Sequence, residues 1–343
     1  MTDATQSRRS DAATTQRRGA ALPPARRLLA ALMRRMPTDV RRVEAIWRSL
    51  YQKLGGGGYS EDAELDARWP RGLQSPVCIK PHGYRVALDL HDWSDRRSYF
   101  HGRFYQEDVD RLIWALTAPG DHYWDIGANI GMILLTAARR IGPAGRALAF
   151  EPNPLVLERL NRTIADNRLR RVRVVPAALG ATAGSATLAL PGEHSGIGTL
   201  TQTESAPART IPVRVETGDG FAGELDASRP LVAKIDVEGF ETLALRGMPR
   251  VLERPEIALV IEVTDRFLRR TGSSAADLHG LLAGCGFSAW QVSAARSRWR
   301  VVPLLRPLRG ALERGQYNAL FARPSSHVFA RVSRFVATAG APQ

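Results

Sequence analysis

From residue 123 to residue 263, short apolar runs alternate with longer stretches of helical spacing, and this rhythm limits the folds open to the chain more than its composition does. Residues 123–126, 146–150, 172–176, 231–235 and 257–263 read as strands. Residues 132–140, 155–167 and 241–252 read as helices between them. A helix at 275–283 and late strands near 287–292 and 317–322 follow. Strands that alternate with helices predict a parallel, doubly wound sheet. A long irregular section precedes the strand at 231–235. Upstream, alternating runs within 77–90 around Pro81-His82-Gly83-Tyr84 predict a hairpin, and 107–116 predicts a helix closed by Pro119-Gly120.

The chain has 343 residues and a formal net charge of +14, carried at its ends. Residues 1–54 hold twelve basic and four acidic residues, and residues 291–343 hold nine arginines and one glutamate. The centre is nearly neutral, which argues against nucleic acid as a partner of the core. The ends suit an anionic membrane or an acidic partner protein; solvated, partly disordered arms are the plainer reading. Arginine doublets stand at 8/9, 17/18, 26/27 and 34/35. Residues 1–36 are expected to be a basic, disordered arm, although 24–36 has the apolar positions Leu28, Leu29, Leu32 and Met33 of a basic amphipathic helix. Residues 37–75 are expected to hold a helix, at 38–54, and a linker that begins with the four-glycine run 55–58. Cys78 and Cys285 form no zinc pattern and are expected as core filler in a reducing, cytoplasmic setting. No stretch has the roughly 20 apolar residues of a transmembrane helix.

The first strand runs into "DIGANIG", residues 125–131, and a helix follows. Parallel sheets bind ligands at the carboxyl ends of their strands. Gly127 gives the tight turn there, and Gly131 allows close approach of the helix backbone. The dinucleotide fingerprint G-x-G-x-x-G has a middle glycine that this chain replaces by Asn129, which weakens a pyrophosphate site. The second strand ends in Glu151, where an acceptor-only carboxylate can take both hydroxyl hydrogens of a ribose. NAD and S-adenosylmethionine sites share that feature.

"DIGANIG", "FEPNP", "LNRTIADN", "AALGATAG" and "KIDVEGFETLALRG", in this order, resemble the FkbM-type methyltransferases, from about Pro76 to Pro324. The resemblance implies a Rossmann-like α/β fold: a seven-stranded, mostly parallel sheet with helices on both faces and a late antiparallel strand at "YNALFARP". Here that fold carries an N-terminal helical and hairpin extension. The methyltransferase domain would span 76–324 and a tail 325–343. The resemblance also implies S-adenosyl-L-methionine as cofactor, held by Asp125, Gly127, Ala128, Asn129, Gly131, Glu151, Pro152, Asn153 and Ala177. Two positions depart from the family: Thr217-Gly218-Asp219-Gly220 keeps one acid of two, and Ala181 stands where an acid is common.

Chemistry concentrates in Lys234-Ile235-Asp236-Val237-Glu238. Residues two apart on a strand share a face, so Lys234, Asp236 and, if the strand persists, Glu238 point one way. Acids at this strand end suit removing a proton from a hydroxyl. Asp236 or Glu238 is the expected base or substrate anchor. A lysine in a central strand needs a carboxylate partner, Asp125 or Asp236, or a lowered pKa. Glu262, ending "IEV", is a further strand-end acid. Asp236, Glu238 and Glu262 could together hold Mg²⁺, but metal-free transfer is expected. His194, in the glycine-rich loop 192–200, is a second candidate base. The reading is an O-methyltransferase for a hydroxyl of a sugar, glycan or small-molecule secondary metabolite. An NAD-dependent oxidoreductase and a non-catalytic module for an adenosyl ligand are the alternatives.

Overall fold

The computed structural model describes residues 22–35, 71–80, 82–190, 209–296, 301–312 and 315–337, with positions 46, 49, 50, 53 and 69. In chain order the elements begin with α1 (Pro24–Arg35), β1 (Val77–Cys78), β2 (Arg85–Val86), α2 (Trp93–His101) and α3 (Glu107–Leu116). The alternating part runs β3 (His122–Ile126), α4 (Met132–Ile141), β4 (Arg146–Phe150), α5 (Pro154–Asp166) and β5 (Val172–Val175). Then come β6 (Ala178–Leu179), β7 (Gly184–Leu190), β8 (Arg209–Glu216), β9 (Leu231–Ile235), α6 (Glu241–Arg246) and α7 (Pro249–Leu252). The chain continues through β10 (Ile257–Thr264), α8 (Asp265–Arg270), α9 (Ala275–Gly284), β11 (Ser288–Arg296), β12 (Val301–Leu308), β13 (Gln316–Ala322) and α10 (His327–Ala330).

Among the described residues, the main sheet has eight strands in the order β12-β11-β13-β10-β9-β3-β4-β5. Five neighbours, β5 to β10, are parallel, and β13 runs antiparallel between β10 and β11. The expected antiparallel strand is present. Among the described residues a further strand, β12, pairs with the outer edge of β11.

Side-chain alternation splits the core into two layers. Trp124, Ile126, Leu148, Phe150, Ala233 and Ile235 pack against α6, α7 and α9 on one face. Tyr123, Ala147, Ala149, Val232 and Val260 pack against α3 and α4 on the other. On the second face the sequence turns polar where the strands end, at Asp125, Lys234 and Glu262. The pattern that buries the sheet thus also aims these three groups at one place.

Several expectations change. The irregular section contains a second sheet, β6-β8-β7. The helix at 241–252 breaks at Gly247, where an added Cβ would lie 2.0 Å from the Gly180 carbonyl oxygen. Residues 24–35, expected within a disordered arm, form a packed helix: Ala30 and Met33 are buried with Leu22, Trp69, Tyr99 and Phe100. Arg34 donates to the Tyr99 carbonyl at 3.2 Å, and the Arg26 guanidinium lies over Trp69. The expected tail from 325 is also docked, since Val328, Phe329 and Val332 are buried and Phe329 stacks on Trp290. Cys78 and Cys285 are exposed rather than core filler. The glycine run 55–58, the loop 192–200 and most of 38–54 lie outside the described residues.

Helix α2 binds the N-terminal layer to the sheet. Its first turn is capped by Asp92, whose carboxylate accepts from Ser94 and Asp95. Inside the helix, Asp95 forms a buried ion pair with Arg159 of α5.

Candidate active site

A cleft of ≈ 790 Å³ opens over the carboxyl ends of β3, β4, β9 and β10. This is the upper part of the range for small-molecule sites, roughly 300–1,000 Å³. It is lined by Asp125, Gly127, Ala128, Asn129, Glu151, Pro152, Asn153, Lys234, Asp236 and Glu238, so ten expected residues converge there. Gly131 and Ala177 are not among the lining residues. Gly131 starts α4 at φ 87° and faces Leu160; Ala177 is fully buried. His194 lies outside the described residues.

Two strand ends meet at Gly127. The Asp236 amide donates to the Ile126 carbonyl at 3.0 Å, and a Cβ on Gly127 would stand 1.9 Å from the Asp236 carbonyl oxygen. Only glycine permits this approach, at φ 82°. Asn129 follows at φ 49°, and its Oδ1 accepts the Ile130 amide at 2.7 Å. That amide is therefore occupied, a physical reason for the poor fit of a pyrophosphate here.

Glu151 is anchored by backbone. Its Oε2 accepts the Asn129 amide and its Oε1 the Asn153 amide, both at 2.9 Å. Each oxygen keeps a second lone pair, as a ribose diol needs. Burial pushes this carboxyl up to about 7, against the pull of the two amides. Asn153 in turn caps α5 through the Leu155 amide at 3.0 Å.

Asp125 and Lys234 are register partners on β3 and β9. Lys234 Nζ donates to Asp236 Oδ2 at 2.9 Å. Burial opposes the ammonium's charge, yet Asp236 and Asp125 outweigh it and hold its pKa above the ordinary lysine value. Burial lifts Asp125 to about 6, with Lys234 opposing. The turn after β9 is closed by Glu241, whose Oε1 accepts the amides of Val237 at 3.2 Å and Gly239 at 3.1 Å. That turn holds Glu238 at φ 52°, a strained value for a side-chain-bearing residue.

Carboxylate oxygens of Asp236, Glu238 and Glu262 lie within 4.8 Å of one another. Burial raises both glutamates, and the charge of Asp236 raises them further. Three acids beside one lysine can share a proton and accept another. They also have the hard oxygen donors that a divalent cation takes. Glu262 receives Gln106 Nε2 at 3.0 Å, which ties the segment before α3 to the cluster.

Sequence reasoning missed Gln106, Trp93, Tyr105 and Arg266, all in the cleft wall. They come from loops and helix starts outside the glycine and strand-end motifs, where no spacing announces a site. The partial Thr-Gly-Asp-Gly motif is structural, because Asp219 accepts the Arg250 and Val251 amides, both at 3.1 Å, at the start of α7.

Residues 125–289 match the family model for the methyltransferase FkbM domain. The chain carries an FkbM-type methyltransferase domain. Among curated proteins, a hexuronic acid methyltransferase, AglP, of Haloferax volcanii is 29% identical over 191 residues, covering 55% of this chain and 74% of that one. A methyltransferase FkbM of Methylobacillus flagellatus shares 17% identity and a TM-score of 0.36 over 67% of this chain and 53% of that one. A precorrin-6y C5,15-methyltransferase of Geobacter metallireducens shares 15% identity and a TM-score of 0.35, over 64% and 88%. At such scores the fold rests on the observed sheet. The matched domain is of the methyltransferase class.

Proposed function

We propose that this FkbM-type methyltransferase moves a methyl group from S-adenosylmethionine to a hydroxyl oxygen of a saccharide or a related polyol. The observation that carries this is the carboxylate cluster Asp236, Glu238 and Glu262 beside Lys234, at the strand ends next to the Gly127 turn. The donor set fits the cofactor: Glu151 offers acceptor lone pairs for ribose hydroxyls, and the acids favour a sulfonium cation. When bound, the cofactor supplies an already activated methyl electrophile. The chain's part is to align the acceptor oxygen and take its proton. Asp236 is the group placed to receive that proton, and Lys234, bonded to it, holds the carboxylate in position. A saccharide acceptor is favoured because the relative in Haloferax volcanii is named for a hexuronic acid.

The test is transfer of labelled methyl from S-adenosylmethionine to a panel of neutral saccharides, hexuronates, phenols and amines, with mass spectrometry of the products. Label on a saccharide hydroxyl oxygen supports the reading; label on the carboxylate of a hexuronate, which has no proton to give up, counts against the role of the base. Label confined to nitrogen or to phenols, or binding of the cofactor without turnover on any saccharide of the panel, rejects it.

A second observation supports a surface contact through the N-terminal helix. Leu28 and Leu32 are 64% and 47% exposed on the side of α1 opposite the buried Ala30 and Met33. With Arg27 and Arg35 alongside, this face suits an anionic bilayer, each basic residue contributing about 1 kcal/mol at low salt. Replacing Leu28 and Leu32 by Asp should abolish sedimentation with phosphatidylserine vesicles while leaving binding of S-adenosylhomocysteine unchanged. Wild-type sedimentation in that variant removes the contact.

A further inference from the structure

One part of the cleft lining lies outside the residues assigned above to the cofactor and to the proton. Trp93 opens α2, and Tyr105 lies in the segment between α2 and α3. Their ring centroids are 5.0 Å apart in an edge-to-face arrangement, and Phe104 backs Tyr105 at 4.5 Å. Trp93 and Tyr105 are only half-buried and both line the cleft. Set edge to face, the two rings form an apolar corner of the cleft rather than part of the closed core. Beside them in the same wall stand Asp92, Asp108 and Arg97.

The wall is fixed close to the reacting groups. Gln106, the residue after Tyr105, bonds Glu262 of the carboxylate cluster. Across the cluster, Asn318 of β13 is the register partner of Glu262, and Gln316 and Ser293 line the cleft near it. The segment that carries Tyr105 is thus tied to the carboxylate cluster through Gln106, in a cleft that also has amide groups in its lining.

We propose that Trp93 and Tyr105 form the platform on which a pyranose ring of the acceptor lies. This deepens the saccharide reading above and rests on it. A pyranose has a face of C–H groups with slight positive charge, and an aromatic face carries the negative side of its quadrupole. Its hydroxyls each donate and accept, so they need partners of both kinds around the ring edge. The cleft lining has side chains of both kinds: the carboxylates of Asp92 and Asp108, the guanidinium of Arg97 and the amides of Gln316 and Asn318. A ring seated on the platform has one edge toward Asp236, Glu238 and Glu262, which suits delivery of a ring hydroxyl to the base.

The test uses the full chain with S-adenosylhomocysteine bound and three neutral probes: cellobiose, lactose and maltose. Saturation-transfer NMR should show saturation on sugar C–H protons. Trp93→Ala and Tyr105→Ala should remove that signal and raise the acceptor KM by about tenfold. The kcat should stay within about threefold, the affinity for S-adenosylhomocysteine should not move, and Trp93→Phe should restore most of the KM. Silence from all three probes, or a KM indifferent to both alanine variants while saccharides are still methylated, overturns the platform and leaves the acceptor class standing. Label found only on non-saccharide hydroxyls removes the acceptor class itself, and the platform with it.

Discussion

Glu151 is fixed on both oxygens by backbone amides and yet held near neutrality in pKa by burial. A ligand that bonds its charged form must lower that pKa, so binding at pH 7 should release protons. Calorimetry of S-adenosylhomocysteine in two buffers of different ionisation enthalpy measures the release; identical apparent enthalpies would contradict it. Glu151→Ala should weaken binding by more than about tenfold, because a hydrogen bond to a charged group is worth roughly 1.5–3 kcal/mol. Asp236 belongs to the other half of the chemistry. Asp236→Asn keeps the shape and removes the charge, so kcat should drop by about 10²–10⁴ while cofactor affinity stays within a few-fold. Undiminished kcat would assign the proton to another group. Full loss of turnover on EDTA, restored by Mg²⁺, would show that the three carboxylates work through a cation.

At the scale of elements, the site depends on two strand ends touching. Gly127→Ala forces a Cβ into the Asp236 carbonyl, 1.9 Å away, at a φ that disfavours alanine. It should destabilise the chain by at least about 2 kcal/mol and abolish cofactor binding; urea unfolding checks the first and calorimetry the second. The motifs at these strand ends were legible because turn glycines, alternation and strand-end acids are local signals. Elements without such signals were not. β12 holds Pro303 and Pro307, which argue against a strand, but it is an edge strand where proline is tolerated. α2 buries Asp95, Arg96 and Ser98, so its sequence has no apolar stripe. β7 exposes its first half and buries Leu188, Ala189 and Leu190 at its end, so period-two alternation fails. In the site, Lys234 and Asp236 could be paired from spacing alone. Gln106 and Trp93 could not, because tertiary packing brings them in.

For the whole molecule, buried acids dominate the response to pH. Burial raises Asp95 and Glu241 to about 7 and Asp110 to about 6, alongside Asp125 and Glu151. A carboxyl with a raised folded pKa binds more protons folded than unfolded between about pH 4 and its folded value. Stability must then fall as pH rises through that window. Tm without ligand should be higher at pH 5.5 than at pH 8, and Glu241→Gln should flatten the difference; scanning calorimetry decides. A Tm that rises with pH over this range would refute the assignment.

The buried Asp95–Arg159 pair has a consequence for how the two ligands sense each other. Glu151 bonds the amide of Asn153, Asn153 starts α5, and Arg159 of α5 pairs with Asp95 of α2, the helix that begins at Trp93. The groups assigned to the ribose and to the acceptor ring are thus the two ends of one continuous packed chain. Such continuity gives the two ligands a path to couple, and thermodynamic reciprocity requires that any change one makes in the other's affinity be returned by the same factor. The double variant Asp95→Asn with Arg159→Gln keeps a hydrogen-bonded pair and removes its charge. In that variant the two affinities should become independent, even where each alone changes little.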